Sequence, residues 1–254
     1  MILFLPGMVG VLSFLLVDLS TLIALIPSPP GTQIPTIPAL KLLSLIQPTL
    51  ILALAVFAGV ALANRVGLSA PAAEALATGG DSLTALKPQL VPGLIGGVVG
   101  GSCIVITSAL FKPLLEPEVI ERISEFMRLF PVPIRLLYGG ITEELLLRWG
   151  FMTLLVWLAW RFLQQRRDAP SRTVFVAAIV ISSLLFGVAH LPVAFMLFPE
   201  PGIALIGFII IANSAFGLIA GYLYWRNGLE SAIIAHMTAH LVMIAASYAG
   251  IYFR

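Results

Sequence analysis

Residues 203–224 read IALIGFIIIANSAFGLIAGYLY and contain no charged side chain. A helix of this length extends over about 33 Å, which covers the roughly 30 Å hydrocarbon core of a bilayer. None of its faces carries the charged side chains that a water-facing helix needs. The stretch therefore predicts a transmembrane helix.

The composition extends this conclusion to the whole chain. Of its 254 residues, 59% are hydrophobic and only 10% are charged, and the mean hydropathy is +1.05. Soluble domains carry about 25% charged residues, so a soluble protein with an all-buried helical core is disfavoured. We expect an integral protein of the plasma (inner) membrane, with lipid around it. The basic residues form no stripe for nucleic acid, and no such partner is expected.

The hydrophobic pattern predicts an all-α fold, a polytopic bundle of about seven transmembrane helices. The predicted spans are 2–26, 39–63, 90–111, 132–160, 173–190, 203–224 and 229–253. A Pro-rich connector is predicted at 27–38. The Ala-, Gly- and Ser-rich stretch 67–88 is predicted to be an exposed loop.

The segment 112–135 differs from the spans because charged and apolar side chains alternate along it. Its apolar positions fall near one helical stripe, namely Leu115, Val119, Ile123, Phe126 and Leu129. This pattern predicts an amphipathic helix lying at the membrane interface. A solvated loop is the alternative.

Ionisable side chains inside predicted spans are the first candidates for function, because placing them in hydrocarbon is costly. Glu144 and Arg148 are four residues apart on one helical face, which predicts an ion pair. Glu143 is turned by about 100° from Glu144, so Arg148 does not neutralise it in the same way. A carboxylate in such a place is suited to take a proton from water. A purely structural Glu–Arg contact between helices is the alternative.

All three histidines of the chain lie in, or at the edge of, predicted spans. His236 and His240 are four residues apart and share a face. That spacing can hold a metal, or it can direct two imidazoles as hydrogen-bond donors into one cavity. Glu143 lies about 16 Å into its helix, at a depth similar to these two and to His190 at the end of a neighbouring span. We therefore expect four groups from three helices to converge.

Three short motifs carry a family resemblance. They are Glu143-Glu144-x-x-x-Arg148, Phe186-x-x-x-His190 and His236-x-x-x-His240. In this order and context they resemble the motifs of the CPBP intramembrane protease family, which includes CAAX prenyl endopeptidases and the Abi immunity proteins of bacteria. The resemblance covers roughly residues 132–251. The chain departs from it at His240, where the family commonly has Asn.

The resemblance implies hydrolysis of peptide bonds within or at the membrane. Glu143 and His190 would then activate a water molecule, and His236 and His240 would stabilise the oxyanion of the tetrahedral intermediate. The expected substrates are membrane-associated proteins or peptides, with prenylated CAAX sequences as one class.

The remaining motif residues receive supporting roles from the same resemblance. Glu144 and Arg148 would position the site, and Phe186 would pack behind His190. The family has been described both as metalloproteases and as glutamate-dependent proteases. A bound zinc is slightly disfavoured because the glutamate mechanism needs none; if zinc were present, His190, His236 and His240 would be its ligands.

The resemblance also suggests a division of the chain. Residues 1–131 would form N-terminal helices with the interfacial segment, and residues 132–254 the catalytic core. Two other functions stay open: a proton-coupled transporter in which the glutamates and histidines relay protons, and a catalytically inactive membrane scaffold or immunity protein.

Overall fold

The computed structural model describes residues 2–27 and 36–253, and within them the regular elements are helices without any strand. Most of the predicted connector at 27–38 therefore lies outside the described residues. The helices are α1 Phe4–Ser13, α2 Leu19–Leu25, α3 Ile37–Leu62, α4 Pro71–Ala77, α5 Ser82–Phe111, α6 Pro117–Arg128, α7 Val132–Leu163, α8 Arg172–Val188, α9 Leu191–Leu197, α10 Ile203–Asn227 and α11 Leu229–Tyr248.

The predicted polytopic helical bundle is confirmed. In the described part of the chain, six helical segments are long and apolar enough to cross a membrane: Ile37–Val66, Ser82–Leu114, Val132–Leu163, Arg172–Leu197, Ile203–Asn227 and Leu229–Tyr248. The first predicted span is not one straight helix. Its first part, Phe4–Leu16, consists of α1 and one further turn, and it meets α2 at a bend of 69°. Counting this bent pair as one span makes seven.

The predicted exposed loop at 67–88 is wrong. The stretch contains α4 and the first two turns of α5, which starts at Ser82, eight residues before the predicted position. Asp81 caps α5 by accepting hydrogen bonds from the amides of Leu83 and Thr84. Pro88 lies inside this helix and does not end it, which is tolerated where neighbouring helices satisfy the freed backbone groups.

The last span also differs from its prediction. Helix α11 ends at Tyr248 and not at residue 253. Gly250 follows with a φ of 75°, a left-handed conformation that glycine adopts without steric cost. The predicted span extended to residue 253 because the residues after this turn are also apolar.

Glycines in α5 bring its backbone close to α11. A Cβ at Gly93 would lie 2.9 Å from the carbonyl oxygen of Ser231, and a Cβ at Gly101 would lie 2.9 Å from that of Ala239. Small residues allow such close helix packing in membranes. The contact holds in place the helix that carries His236.

The predicted amphipathic helix is present as α6. Its apolar side chains pack against the core, among them Val119, Ile123 and Met127, while its glutamates are exposed. Arg122 anchors it by donating from Nη1 to the carbonyl of Leu197 at 3.1 Å. The alternative of a solvated loop is therefore wrong.

Candidate active site

The motif glutamates lie between two widened stretches of α7. Residues Arg135–Thr142 and Leu145–Met152 form π-helical turns, and both are continuous with the α-helical remainder of the span. Such turns are uncommon and occur frequently at functional sites. Glu143 and Glu144 thus occupy the short regular segment between them.

The predicted ion pair of α7 is present. Arg148 Nε lies 3.3 Å from Glu144 Oε2, and both side chains are completely buried. Arg148 also donates from Nη2 to the carbonyl of Gly217 in α10 at 3.1 Å, and its guanidinium lies over the ring of Phe186 at 5.1 Å. The charged pair therefore joins three helices inside the protein.

His236 lies between the two adjacent carboxylates. Its Nδ1 donates to Glu144 Oε1 at 2.8 Å, and its Nε2 lies 3.9 Å from Glu143 Oε2. The side chain of Glu143 is 20% exposed, whereas that of Glu144 is fully buried. Glu143 is consequently the more accessible of the two carboxylates.

His190 lies at the junction between α8 and α9. Its Nδ1 is 2.7 Å from the carbonyl oxygen of Phe186, and because a carbonyl can only accept, Nδ1 carries a proton; in the neutral imidazole Nε2 then keeps its lone pair. The ring of Phe186 meets that of His190 edge to face at 4.8 Å and that of His236 at 5.7 Å. Phe186 therefore packs behind His190, as the resemblance implies, and also joins it to His236.

His240 lies one helical turn beyond His236. The two rings are parallel, with centroids 5.0 Å apart and an interplanar angle of 9°. The Nε2 atom of His240 is buried, and no residue of the described chain forms a hydrogen bond with it. It faces Gly139, where a Cβ would overlap this nitrogen. The glycine thus makes room for an imidazole at this position.

The histidines as arranged do not form a three-ligand zinc site. Across residues 2–27 and 36–253, no group of three or more His, Cys, Asp or Glu side chains has the spacing of a metal site. The Nδ1 atoms of His190 and His236 donate to oxygen acceptors, which leaves Nε2 as the ring nitrogen of each that could bind a metal. The set His190, His236 and His240, considered from the sequence, lacks the convergence that zinc requires.

Three further residues contact the site without belonging to a motif. Phe216 in α10 packs against His236 with ring centroids 4.4 Å apart, and Gly217 supplies the carbonyl for Arg148. Thr142 donates to the carbonyl of Gly7 in α1. Phe216 and Gly217 lie in an uninterrupted apolar span, where nothing in the local pattern distinguishes them from lipid-facing residues.

Comparison with known proteins finds a family match over the part of the chain that carries the three motifs. Residues 125–242 match the family model described as type II CAAX prenyl endopeptidase Rce1-like. The matched stretch is just under half of the chain, and it starts in α6 and ends in α11 after His240. All three motifs lie within it, which confirms the resemblance seen in the sequence. No curated protein and no solved structure matches the chain.

Proposed function

We propose that this integral membrane protein hydrolyses peptide bonds of membrane-associated substrates. The proposal starts from the Rce1-like match of residues 125–242. Glu143 and His190 activate the attacking water molecule. The match supports a CAAX-type membrane protease in general. The observation that supports the specific assignment is His236, which contacts a buried, paired Glu144 on one side and faces an accessible Glu143 on the other.

Glu143 is the proposed general base. It takes a proton from water as the oxygen attacks the carbonyl carbon, and the resulting tetrahedral intermediate carries a negative oxygen. The carbon–nitrogen bond then breaks, and the proton passes from Glu143 to the leaving nitrogen. Nδ1 of His190 bonds to the carbonyl of Phe186. The lone pair of Nε2 in the neutral ring is therefore a second acceptor for the water protons.

His236 is the proposed donor to the oxyanion. Its Nδ1 bonds to Glu144, and its Nε2 is the ring nitrogen on the side of Glu143. Because Nδ1 is held by Glu144, a proton on Nε2 would be directed at the oxyanion, which is where a preorganised donor has the largest effect. His240, stacked on His236, would add a second donor from its Nε2.

The proposed mechanism uses glutamate and histidine side chains alone, without a bound zinc. One feature supports this choice: among the described residues, the histidines do not converge as three ligands. Measurement of metal content, described in the Discussion, tests it.

Prenylated CAAX-type peptides are the proposed substrates, and the plasma (inner) membrane is the proposed location. The site lies within membrane-spanning helices, where a lipid-anchored peptide is already concentrated beside the protein. An unmodified soluble peptide would have to leave water to reach Glu143. A lipid anchor should therefore lower KM strongly.

The test uses the purified full chain in lipid nanodiscs with two fluorogenic peptides of one CAAX-type sequence, one farnesylated and one not. We expect cleavage of the farnesylated peptide and little or none of the unmodified one. Glu143→Gln should be inactive, whereas Glu125→Gln, a matched change on the exposed side of α6, should retain activity. Equal turnover by the native and Glu143→Gln proteins would contradict the proposal, as would absence of cleavage together with proton flux in liposomes.

A further inference from the structure

We infer that the N-terminal helix α1 positions Glu143, and that it does so through Thr142. This inference rests on the proposed function, because it assigns Thr142 as a positioning residue for the proposed base. Helix α1 lies outside the stretch that matches the Rce1-like family. The dependence of Glu143 on α1 therefore does not follow from the family match.

The first observation is a buried hydrogen bond between distant parts of the chain. Thr142 Oγ1 donates to the carbonyl of Gly7 at 2.9 Å, across 135 residues of sequence. Thr142 is completely buried, and in such a place no water competes for the bond. Because Thr142 directly precedes Glu143, a constraint on its side chain limits the rotation of the helix at the proposed base.

The second observation is that α1 contacts α7 along a single face. A Cβ at Gly10 would overlap Thr142 Oγ1 and would lie 2.6 Å from the carbonyl oxygen of Leu137. Directly after α1, Phe14 packs edge to face against Tyr138 with ring centroids 4.4 Å apart. Residues 7, 10 and 14 are spaced by three and four, so they lie on one side of a helix.

The third observation explains why α7 needs such a support. The helix has π-helical turns on both sides of the glutamates, and these turns interrupt the regular i→i+4 hydrogen-bond ladder. A change in the turn type would rotate every side chain beyond it. The contact with α1 lies on the turn before Glu143 and opposes such a rotation. We conclude that α1 keeps the carboxylate directed at Nε2 of His236.

The experiment compares Thr142→Val, which removes the hydroxyl and keeps the shape, with Thr142→Ser, which keeps the donor. Thr107→Val is the matched control, because among the described residues the hydroxyl of Thr107 bonds within α5, to the carbonyl of Cys103. On the farnesylated peptide we expect Thr142→Val to lower kcat about tenfold or more with KM within about twofold, since a ~1 Å misplacement costs up to ~10². Thr142→Ser should recover most of kcat.

A second readout does not depend on peptidase activity. A hydrophobic carbodiimide adds to a membrane-embedded carboxyl group and leaves a mass tag that peptide mass spectrometry assigns to one residue. In the native protein we expect the tag on Glu143 and not on the fully buried Glu144. Thr142→Val should change the labelling rate of Glu143 severalfold, whereas Thr142→Ser and Thr107→Val should not.

The two readouts separate the inference from the proposed function. If the native protein cleaves neither peptide, the proposed function fails and the labelling rates alone decide the inference. If Thr142→Val matches Thr107→Val in both kcat and labelling, or changes thermal stability alone, the inference is overturned. Should Thr142→Val not accumulate as a folded protein, Phe14→Leu weakens the same contact from the α1 side. Unchanged labelling of Glu143 in that variant would then overturn it.

Discussion

His236 donates through Nδ1 to the fully buried carboxylate of Glu144 at 2.8 Å. This bond distinguishes two adjacent glutamates, to which the proposed mechanism gives different tasks. Glu144 is held by His236 and by Arg148, so it is not free to accept a proton from water. Glu143 has no such pair of partners among the described residues, and part of its side chain is exposed. The chemistry is therefore expected at Glu143, with Glu144 orienting the imidazole.

Glu143→Gln should abolish cleavage and leave the fold intact. The amide keeps the shape of the side chain but cannot accept the proton, and loss of a general base lowers the rate by about 10²–10⁴. Turnover of the farnesylated peptide and thermal unfolding of the same preparation check this expectation. The same variant should retain bound substrate, which co-purification can identify. A folded, fully active variant would remove Glu143 from the mechanism.

Arg148→Ala should damage the protein more than the chemistry. It leaves Glu144 as a buried charge that only His236 can compensate, and breaking a buried pair costs about 3–5 kcal/mol. Expression and thermal unfolding in detergent measure this loss. Arg167→Ala, in an exposed loop, is the control and should leave both unchanged.

Removing both charges of the pair should cost less than removing one. In the double variant Glu144→Gln with Arg148→Gln no uncompensated charge stays in the core, so its unfolding temperature should lie above that of Arg148→Ala. A double variant as unstable as Arg148→Ala would show that packing of the guanidinium against Phe186, and not the charge balance, is what matters.

His240→Asn tests the mechanism at the position where the chain leaves the family pattern. If His240 acts as a hydrogen-bond donor, Asn should keep activity within about tenfold, whereas His240→Ala should lose about 10²–10³. Chelation should not inhibit the native protein. The measurements are turnover and metal content of the native and variant proteins. Stoichiometric zinc that is lost together with activity in His240→Asn would favour the metal mechanism instead.

Gly139→Ala should be harmful in the native chain and better tolerated beside His240→Asn. The added methyl overlaps Nε2 of His240, and overpacking costs about 1–3 kcal/mol. Asn is shorter and withdraws from this space. Thermal unfolding of the single and double variants measures the difference. Gly140→Ala is the control, since its methyl would meet the flexible Met237 and should not be relieved by His240→Asn.

The membrane spans could be predicted from the sequence because hydropathy is a local property. An uncharged stretch such as 203–224 has no alternative to lipid or a protein interior, whatever lies around it. The same holds for the Glu144–Arg148 pair, since a four-residue spacing places both on one side of a single helix. The prediction failed at 67–88, where Ala, Gly and Pro indicated a loop. There the capping by Asp81 and contacts with neighbouring helices decide in favour of helix.

The sequence by itself indicated the candidates for chemistry, which are three histidines and two glutamates in apolar helices. They occur in three motifs along the chain. Only the tertiary structure decided that the hydrogen bond of His236 goes to Glu144 and not to Glu143, that Phe216 packs against this imidazole, and that Thr142 is held by α1. Each of these contacts joins residues at least 20 positions apart. They depend on how far each helix is rotated and tilted against its neighbours, and that rotation is set by the packing of whole helix faces, which no short stretch of sequence contains.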